Sequence, residues 1–247
     1  MRVQILHTND FHGNLYSQKA EIIAGKRKSA DFYFDCGDCV KAGNISVLKK
    51  HDPAWEFLNE LKCSASVPGN REFHITEKGF HSKITGANFP VLCANLQWKN
   101  KREKRLLQFD NHAMDEDDTH PLPHWVIFDN VGVFGVSVPM ITARMQARHI
   151  SAFVYENPVD SAMRCIELLR DKVKLLICLS HIGLKQDIAL AEKTDGIDII
   201  LGGHSHDSLV VPLKIKNTWV CQAGSHGKVI GNLIWENGIK QYNLDPL

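Results

Sequence analysis

The chain is 247 residues long, 44% hydrophobic and 23% charged, enough for one large α/β domain or two small ones and typical of a soluble globular protein. Its 29 basic and 28 acidic residues leave a net charge of +1, so total charge gives no reason to expect nucleic acid or an anionic membrane as a partner. No apolar run approaches the roughly 20 residues that cross a bilayer.

The N-terminus, MRVQILHTND, lacks the charged region, apolar core and small-residue cleavage site of a signal peptide. Within it VQIL reads as a first strand, and it runs into Asp10-Phe11-His12. A second strand, DFYFDC, ends on Gly37-Asp38. A short helix is expected over 54–62, then a strand SASV that runs into Pro68-Gly69-Asn70. VLCANL, containing Asn95, reads as the next strand. From 97 to 123 a basic cluster is followed by Asp115-Glu116-Asp117-Asp118, which reads as a solvated, mobile insertion. WVIF and VGVFGVSV follow as strands, and Arg144, Arg148 and His149 come shortly after them.

Helical periodicity marks 157–172, with Asn157 as N-cap and Pro158 at the first helical position. KLLICLS is a strand ending on Ser180-His181, and 184–193 is a further helix. The last third holds consecutive strands with Gly-rich turns: IDIILGG before His204-Ser205-His206, TWVCQAG before His226, and VIGNLIW. Most of these runs are unbroken rather than alternating, as strands buried on both faces are. A mixed α/β fold with two sheets fits this order better than a purely parallel one. No linker-like stretch divides the chain, so residues 1–247 are expected to form a single domain.

The seven cysteines, Cys36, Cys39, Cys63, Cys93, Cys165, Cys178 and Cys221, are odd in number and sit in apolar surroundings. They read as reduced, buried thiols of a cytoplasmic protein. The lone CxxC of Cys36 and Cys39, with no second pair, is a weak metal or redox signal.

Five strand ends therefore carry Asp, Asn or His. In an extended chain residues i and i+2 share a side, so Asp10 with His12, and His204 with His206, are each expected to aim two donors at one point. Gly37, Gly69 and Gly203 precede candidate ligands, where a missing Cβ permits close backbone approach. Two Asp, four His and one Asn give enough donors for two adjacent divalent ions. Such mixed nitrogen and oxygen sets suit manganese, iron or zinc better than calcium.

HTNDFHG, DCGD, PGN-E, CANL, LSHIGLKQD, LGGHSH and QAGSHGK, in that order, resemble the calcineurin-like metallophosphoesterases, in particular the catalytic N-terminal domain of the 5′-nucleotidase family. The resemblance spans about residues 2 to 236. It implies an αββα sandwich of two mixed sheets flanked by helices, with a dinuclear metal site at one edge. It implies that Asp10, His12, Asp38 and His206 hold a first ion, and Asp38, Asn70, His181 and His204 a second, with Asp38 bridging. It further implies hydrolysis of a small-molecule phosphate ester by in-line attack of a hydroxide lying between two divalent ions, manganese foremost. Asn95 falls where the family contacts phosphate, its other reading being a strand-end turn. His226 is expected beside the metals rather than on them.

The resemblance breaks at one point. Family members usually read GNHE, often GNHEFD, where this chain reads GNREFH. Arg71 thus stands for the histidine that protonates the leaving group or stabilises the transition state, and His74 for the aspartate that orients it. Arginine is no general acid, since its pKa lies above roughly 12, but it clamps phosphate oxygens well. Three readings follow. Arg71 stabilises a leaving group that needs no proton, as the GNRD of the UDP-diacylglucosamine pyrophosphohydrolases suggests; or His74 is a displaced acid; or the chain is a metal-binding interaction module with weak or no hydrolysis, like the retromer subunit built on this fold. The nucleotide-specificity domain that follows the catalytic domain in the family is expected to be absent.

Overall fold

The computed structural model describes residues 1–43, 46–100 and 120–247. Most of the expected 97–123 insertion, residues 101–119, lies outside the described residues. The first half of the chain forms β1 (Arg2–Thr8), α1 (Ser17–Arg27), β2 (Phe32–Asp35), α2 (Pro53–Glu60), β3 (Ala65–Ser66), α3 (Glu77–Ile84) and β4 (Leu96–Trp98). The second half adds β5 (Trp125–Phe128), β6 (Val131–Ser137), β7 (Phe153–Tyr155), α4 (Pro158–Leu169), β8 (Leu175–His181) and α5 (Leu184–Lys193). It closes with β9 (Ile199–Gly202), β10 (Leu213–Ile215), β11 (Thr218–Gln222), β12 (Val229–Glu236) and β13 (Ile239–Pro246).

The unbroken apolar strands are explained by what lies on each side of them. Along β8, Leu175, Ile177 and Leu179 enter a core shared with Val3, Ile5 and Phe34 of the first sheet. The intervening Leu176 and Cys178 enter a second core with Ala162, Cys165 and Leu169 of α4 and Leu190 of α5. Alternate residues thus serve two apolar layers. On the far side of the first sheet, Leu6 of β1 packs with Ile23, Trp55, Leu58, Phe80 and Ile84 from α1, α2 and α3. The order of layers is helices, sheet, sheet, helices, which is the expected αββα sandwich.

The first sheet runs β13-β12-β1-β2-β3 and the second β10-β11-β9-β8-β6-β5, while β4 and β7 form a small pair. β1, β2 and β3 are parallel, as are β6, β8, β9 and β11. β12, β10 and β5 pair antiparallel to their neighbours. The carboxyl ends of the parallel strands of both sheets meet along one edge, and the candidate ligands follow those ends.

The helices expected at 54–62, 157–172 and 184–193 form, the second finishing in a 3₁₀ turn at Arg170–Lys172. The Asn157 side chain accepts from the Val159 N–H, capping α4 as expected. Two helices went unread. α1 buries only Lys19 and Ile23, so it shows little periodicity, and α3 is a short helix capped by Thr76. VLCANL is not one strand: Val91 makes a single bridge to Ser66, and only Leu96 enters β4. Among the described residues no helix is long and apolar enough to cross a membrane.

Asp187 of α5 is fully buried, accepting from the Ser180 hydroxyl of β8 and, at 2.8 Å, from the Gln222 amide of β11. Burial lifts its pKa to about 7, against the opposing pull of those two hydrogen bonds. A carboxyl raised above its unfolded value adds stability below the unfolded pKa and loses it as pH climbs through the folded one. Asp187 is therefore expected to make the protein less stable as pH rises from about 4 to about 7, by on the order of 3 kcal/mol. Denaturant titrations across that range check this, with Asp187→Asn expected to flatten the dependence. Ile177→Ala, at the centre of the core between the sheets, is expected to cost about 2–5 kcal/mol at any pH.

Candidate metal centre

Three of the candidate strand ends, after β1, β2 and β9, are turns, and this corrects the expectation of extended backbone there. Asp10, His12, Asp38, His204 and His206 have φ of 55°, 52°, 55°, 76° and 62°, all left-handed. Convergence of Asp10 with His12 and of His204 with His206 therefore comes from tight curls rather than from the pleat of a strand. The curls are fixed by backbone bonds: the N–H groups of Asp10, His12 and Gly13 donate to the carbonyls of Gly37, Asp38 and Cys39 at 2.8–2.9 Å. The His204 N–H donates to Asp10 Oδ2 at 2.8 Å, tying the second sheet's loop to the first's.

Seven side chains follow one another across the edge. His206 Nε2 lies 3.3 Å from Asp10 Oδ1 and 2.9 Å from His12 Nε2. His12 Nδ1 faces Asp38 Oδ2 at 3.7 Å, and Asp38 Oδ1 faces His181 Nε2 at 3.7 Å. The His181 and His204 rings stand 5.1 Å apart, and His204 Nδ1 is 3.0 Å from Asn70 Oδ1. Among the described residues, two groups have donor atoms mutually within 4.8 Å, namely Asp10, His12, His206 and Asp10, Asp38, His181. Asp10 thus borders both groups, and Asp38 turns one oxygen toward each.

The donors fit a pair of cations. Asp10 Oδ1, His12 Nδ1 and His181 Nε2 are buried without a hydrogen-bond partner, an arrangement that costs stability unless something positive binds them. His181 Nδ1 lies 2.6 Å from the Cys36 carbonyl, to which it donates, so Nε2 is the nitrogen turned toward Asp38 and the one that must give up a proton to take a cation. Burial would lower the His181 pKa, yet the Asp38 carboxylate 3.7 Å away outweighs it and raises it to about 9. His12 behaves oppositely: burial brings it down to about 4 despite Asp38. Burial works against the Asp38 carboxylate too, but His181 and the Arg71 N–H hold its pKa below the usual value.

Two supporting residues were not singled out in the sequence. Glu72, buried, accepts from the N–H groups of Gly69, Asp38 and Val40 at 2.7, 2.9 and 3.1 Å, holding two ligand loops together. The E of PGN-E was its signal. Lys83 of α3 is buried and donates to the carbonyls of Gly43, Arg71 and Phe73 at 2.8–3.0 Å, and burial lowers its pKa to about 8. Nothing in its sequence neighbourhood marks it. At Gly69 the close approach is literal, since a Cβ there would sit 2.2 Å from Asp38 Oδ1.

Arg71 stands at the rim of this group. Its N–H donates to Asp38 Oδ1 at 2.7 Å, its guanidinium to the Lys41 carbonyl at 3.0 Å, and its charge is felt at His12. Two expected residues are not brought in. The His74 ring lies over Gly79, where a Cβ would come 2.1 Å from Nδ1, and that Nδ1 accepts from the Thr76 N–H at 3.0 Å, so the ring braces the start of α3. Asn95 is wholly buried, its amide donating to the Ser137 carbonyl at 2.8 Å and accepting from the Ser137 N–H at 2.9 Å. Arg144, Arg148 and His149 lie in and around the 3₁₀ turn Gln146–His149, where the His149 carbonyl accepts from Lys99 at 3.0 Å. The His226 ring lies 5.1 Å from that of His12, beside the donors as expected.

Comparison with known proteins agrees with this geometry. Residues 3–208 match the family model described as calcineurin-like phosphoesterase. The chain is 26% identical over 265 residues to the trifunctional nucleotide phosphoesterase protein YfkN of Bacillus subtilis, covering 93% of this chain and 18% of that protein. It is 25% identical over 297 residues to a 5′-nucleotidase of Vibrio cholerae, covering 100% of this chain and 52% of that one. The chain thus spans about half or less of these relatives' lengths. Among solved structures, a 5′-nucleotidase precursor from Thermus thermophilus superposes with a TM-score of 0.74 at 22% identity, over 100% of this chain and 54% of that chain. The B. subtilis calcineurin-like phosphoesterase YfkN gives 0.71 at 22% identity, over 99% and 90%. With the family model spanning most of its length, the chain belongs to the calcineurin-like phosphoesterases.

Proposed function

We propose that this protein hydrolyses phosphate monoesters or pyrophosphate-type bonds of small, nucleotide-like molecules. The observation that carries this reading is the set of buried, unpartnered donors on both sides of Asp38. The relatives described as nucleotide phosphoesterase and 5′-nucleotidase support the substrate class. Asp10, His12, Asp38 and His206 would hold one divalent ion, and Asp38, Asn70, His181 and His204 the other. Manganese is the ion we favour, with iron or zinc as alternatives, because carboxylate, amide and imidazole donors suit them. Two such ions, when bound, supply charge neutralisation for the phosphoryl oxygens and lower the pKa of the attacking water.

The chain's own residues do the rest. Glu72 and Lys83 hold the ligand loops in register, as their bonds to five backbone groups in those loops and one at Gly43 imply. Arg71 supplies positive charge at the rim, and a guanidinium there stabilises developing charge rather than protonating a leaving group. That favours substrates whose leaving group is already a weak base, a phosphate or a phenol. The seven cysteines, all among the described residues, are buried and carry no disulfide, which supports a reducing compartment such as the cytoplasm. We regard the chain as one catalytic domain.

Protein loaded with manganese is expected to turn over an activated aryl phosphate; if it binds metal but shows no turnover, the metal-binding-module reading takes its place. Metal analysis is expected to find about two ions per chain, with Asp38→Asn lowering both occupancies and abolishing hydrolysis. Because loading must expel the His181 proton, metal affinity measured by calorimetry is expected to rise with pH up to about 9.

For Arg71, the informative measurement is kcat/KM for a nucleoside monophosphate relative to an aryl phosphate. Arg71→Ala is expected to slow both by about a hundredfold, the worth of one transition-state donor at about 3 kcal/mol. Arg71→His is expected to shift the ratio toward the nucleotide, whose basic leaving group gains most from a proton donor. His74→Ala is expected to leave aryl phosphate hydrolysis unchanged. Loss of nucleotide turnover in His74→Ala, with Arg71→Ala unaffected, would make His74 the acid.

A further inference from the structure

His226 lies in the loop between β11 and β12, and its side chain is exposed. Its backbone is held at both ends: the N–H donates to the Asp10 carbonyl at 2.7 Å, and the carbonyl accepts from Lys19 Nζ at 2.8 Å. With φ of 60° it curls left-handed between Gly224 and Gly227. Those anchors are made by main-chain atoms that any residue would supply, so the loop does not need an imidazole to hold its shape. The loop instead presents the ring. Its centroid is 5.1 Å from that of His12 and 5.7 Å from that of His206, yet its nitrogens are not part of the donor group formed by Asp10, His12 and His206. It stands beside that group on the solvent side, since His226 and His206 are both exposed. Nδ1 is paired with the Ser225 hydroxyl at 2.9 Å, which fixes the ring and leaves Nε2 for a ligand.

We propose that His226 is a substrate-contacting residue whose Nε2 hydrogen-bonds an oxygen of the phosphate group bound at this centre. The inference rests on the phosphoesterase reading for the identity of that group. His226 and Arg71 then meet the substrate from two different loops, one following β11 and one following β3. His226 contributes a directed hydrogen bond, and Arg71 contributes charge.

The test uses inorganic phosphate as the probe and calorimetry on the manganese-loaded full chain, with metal content measured in parallel. His226→Ala is expected to weaken phosphate binding about tenfold or more, the usual worth of a hydrogen bond to a charged group, while His226→Gln, which keeps an N–H at similar reach, stays within about threefold of wild type. Both variants are expected to retain wild-type metal content. Unchanged phosphate affinity in His226→Ala overturns the proposal. So does a Gln variant as weak as the Ala one, or loss of metal from either, which would make the residue a support for the ligands. Wild-type protein that fails to bind phosphate overturns it as well. If wild type binds phosphate as described but hydrolyses no ester, the catalytic reading falls and the contact stands.

Discussion

The placement of one buried carboxylate governs the edge of this sandwich. Asp38 Oδ1 faces His181 and accepts from the Arg71 N–H, while Oδ2 faces His12. An ionised carboxylate in that position is costly without compensating partners, and the surrounding sequence follows from the need to supply them. Gly69 is glycine because the Asp38 oxygen occupies the space a Cβ would take. Glu72 lies beneath the same loop, gathering N–H groups from both strand ends. Burial, followed by the Asp38 charge, raises its pKa. Lys83 sits close enough for Glu72 and Asp38 to moderate the effect of burial on its ammonium.

This dependence explains how the site was legible in part. The candidate donors and their order after apolar runs were readable because strand ends are punctuated by Gly and by abrupt polarity. The conformation of those ends was not readable: periodicity describes regular backbone, and five ligand residues sit at positive φ where no period applies. Asn95 and His74 mark the same limit. Each occupies a family position, but the hydrogen bonds that commit Asn95 to Ser137 and His74 to Thr76 are tertiary facts that a spacing cannot carry. Lys83 lies in a helix of only eight residues, and its role depends on three carbonyls brought together only by folding.

The fold was legible for a related reason. Strands buried on two faces read as unbroken apolar runs, and those runs built the centres of both sheets. What escaped lies at the margins. β10 and β13 are edge strands, and β13 alternates between exposed and half-buried residues. β4 and β7 form a two-strand pair of three residues each. Edge strands bury too little apolar surface to stand out from loops in composition.

The two sheets contribute unequally placed donors to one point. Asp10, His12, Asp38 and Asn70 follow strands of the first sheet, and His181, His204 and His206 follow strands of the second. Ions held between them would act as a clasp across the sandwich, joining layers that are otherwise held mainly by the apolar core between them. Affinity for those ions and cohesion of the layers are then the same free energy seen from two directions. A substitution deep in the core between the sheets, far from any ligand, would loosen the grip on metal, and a chelator would soften the core.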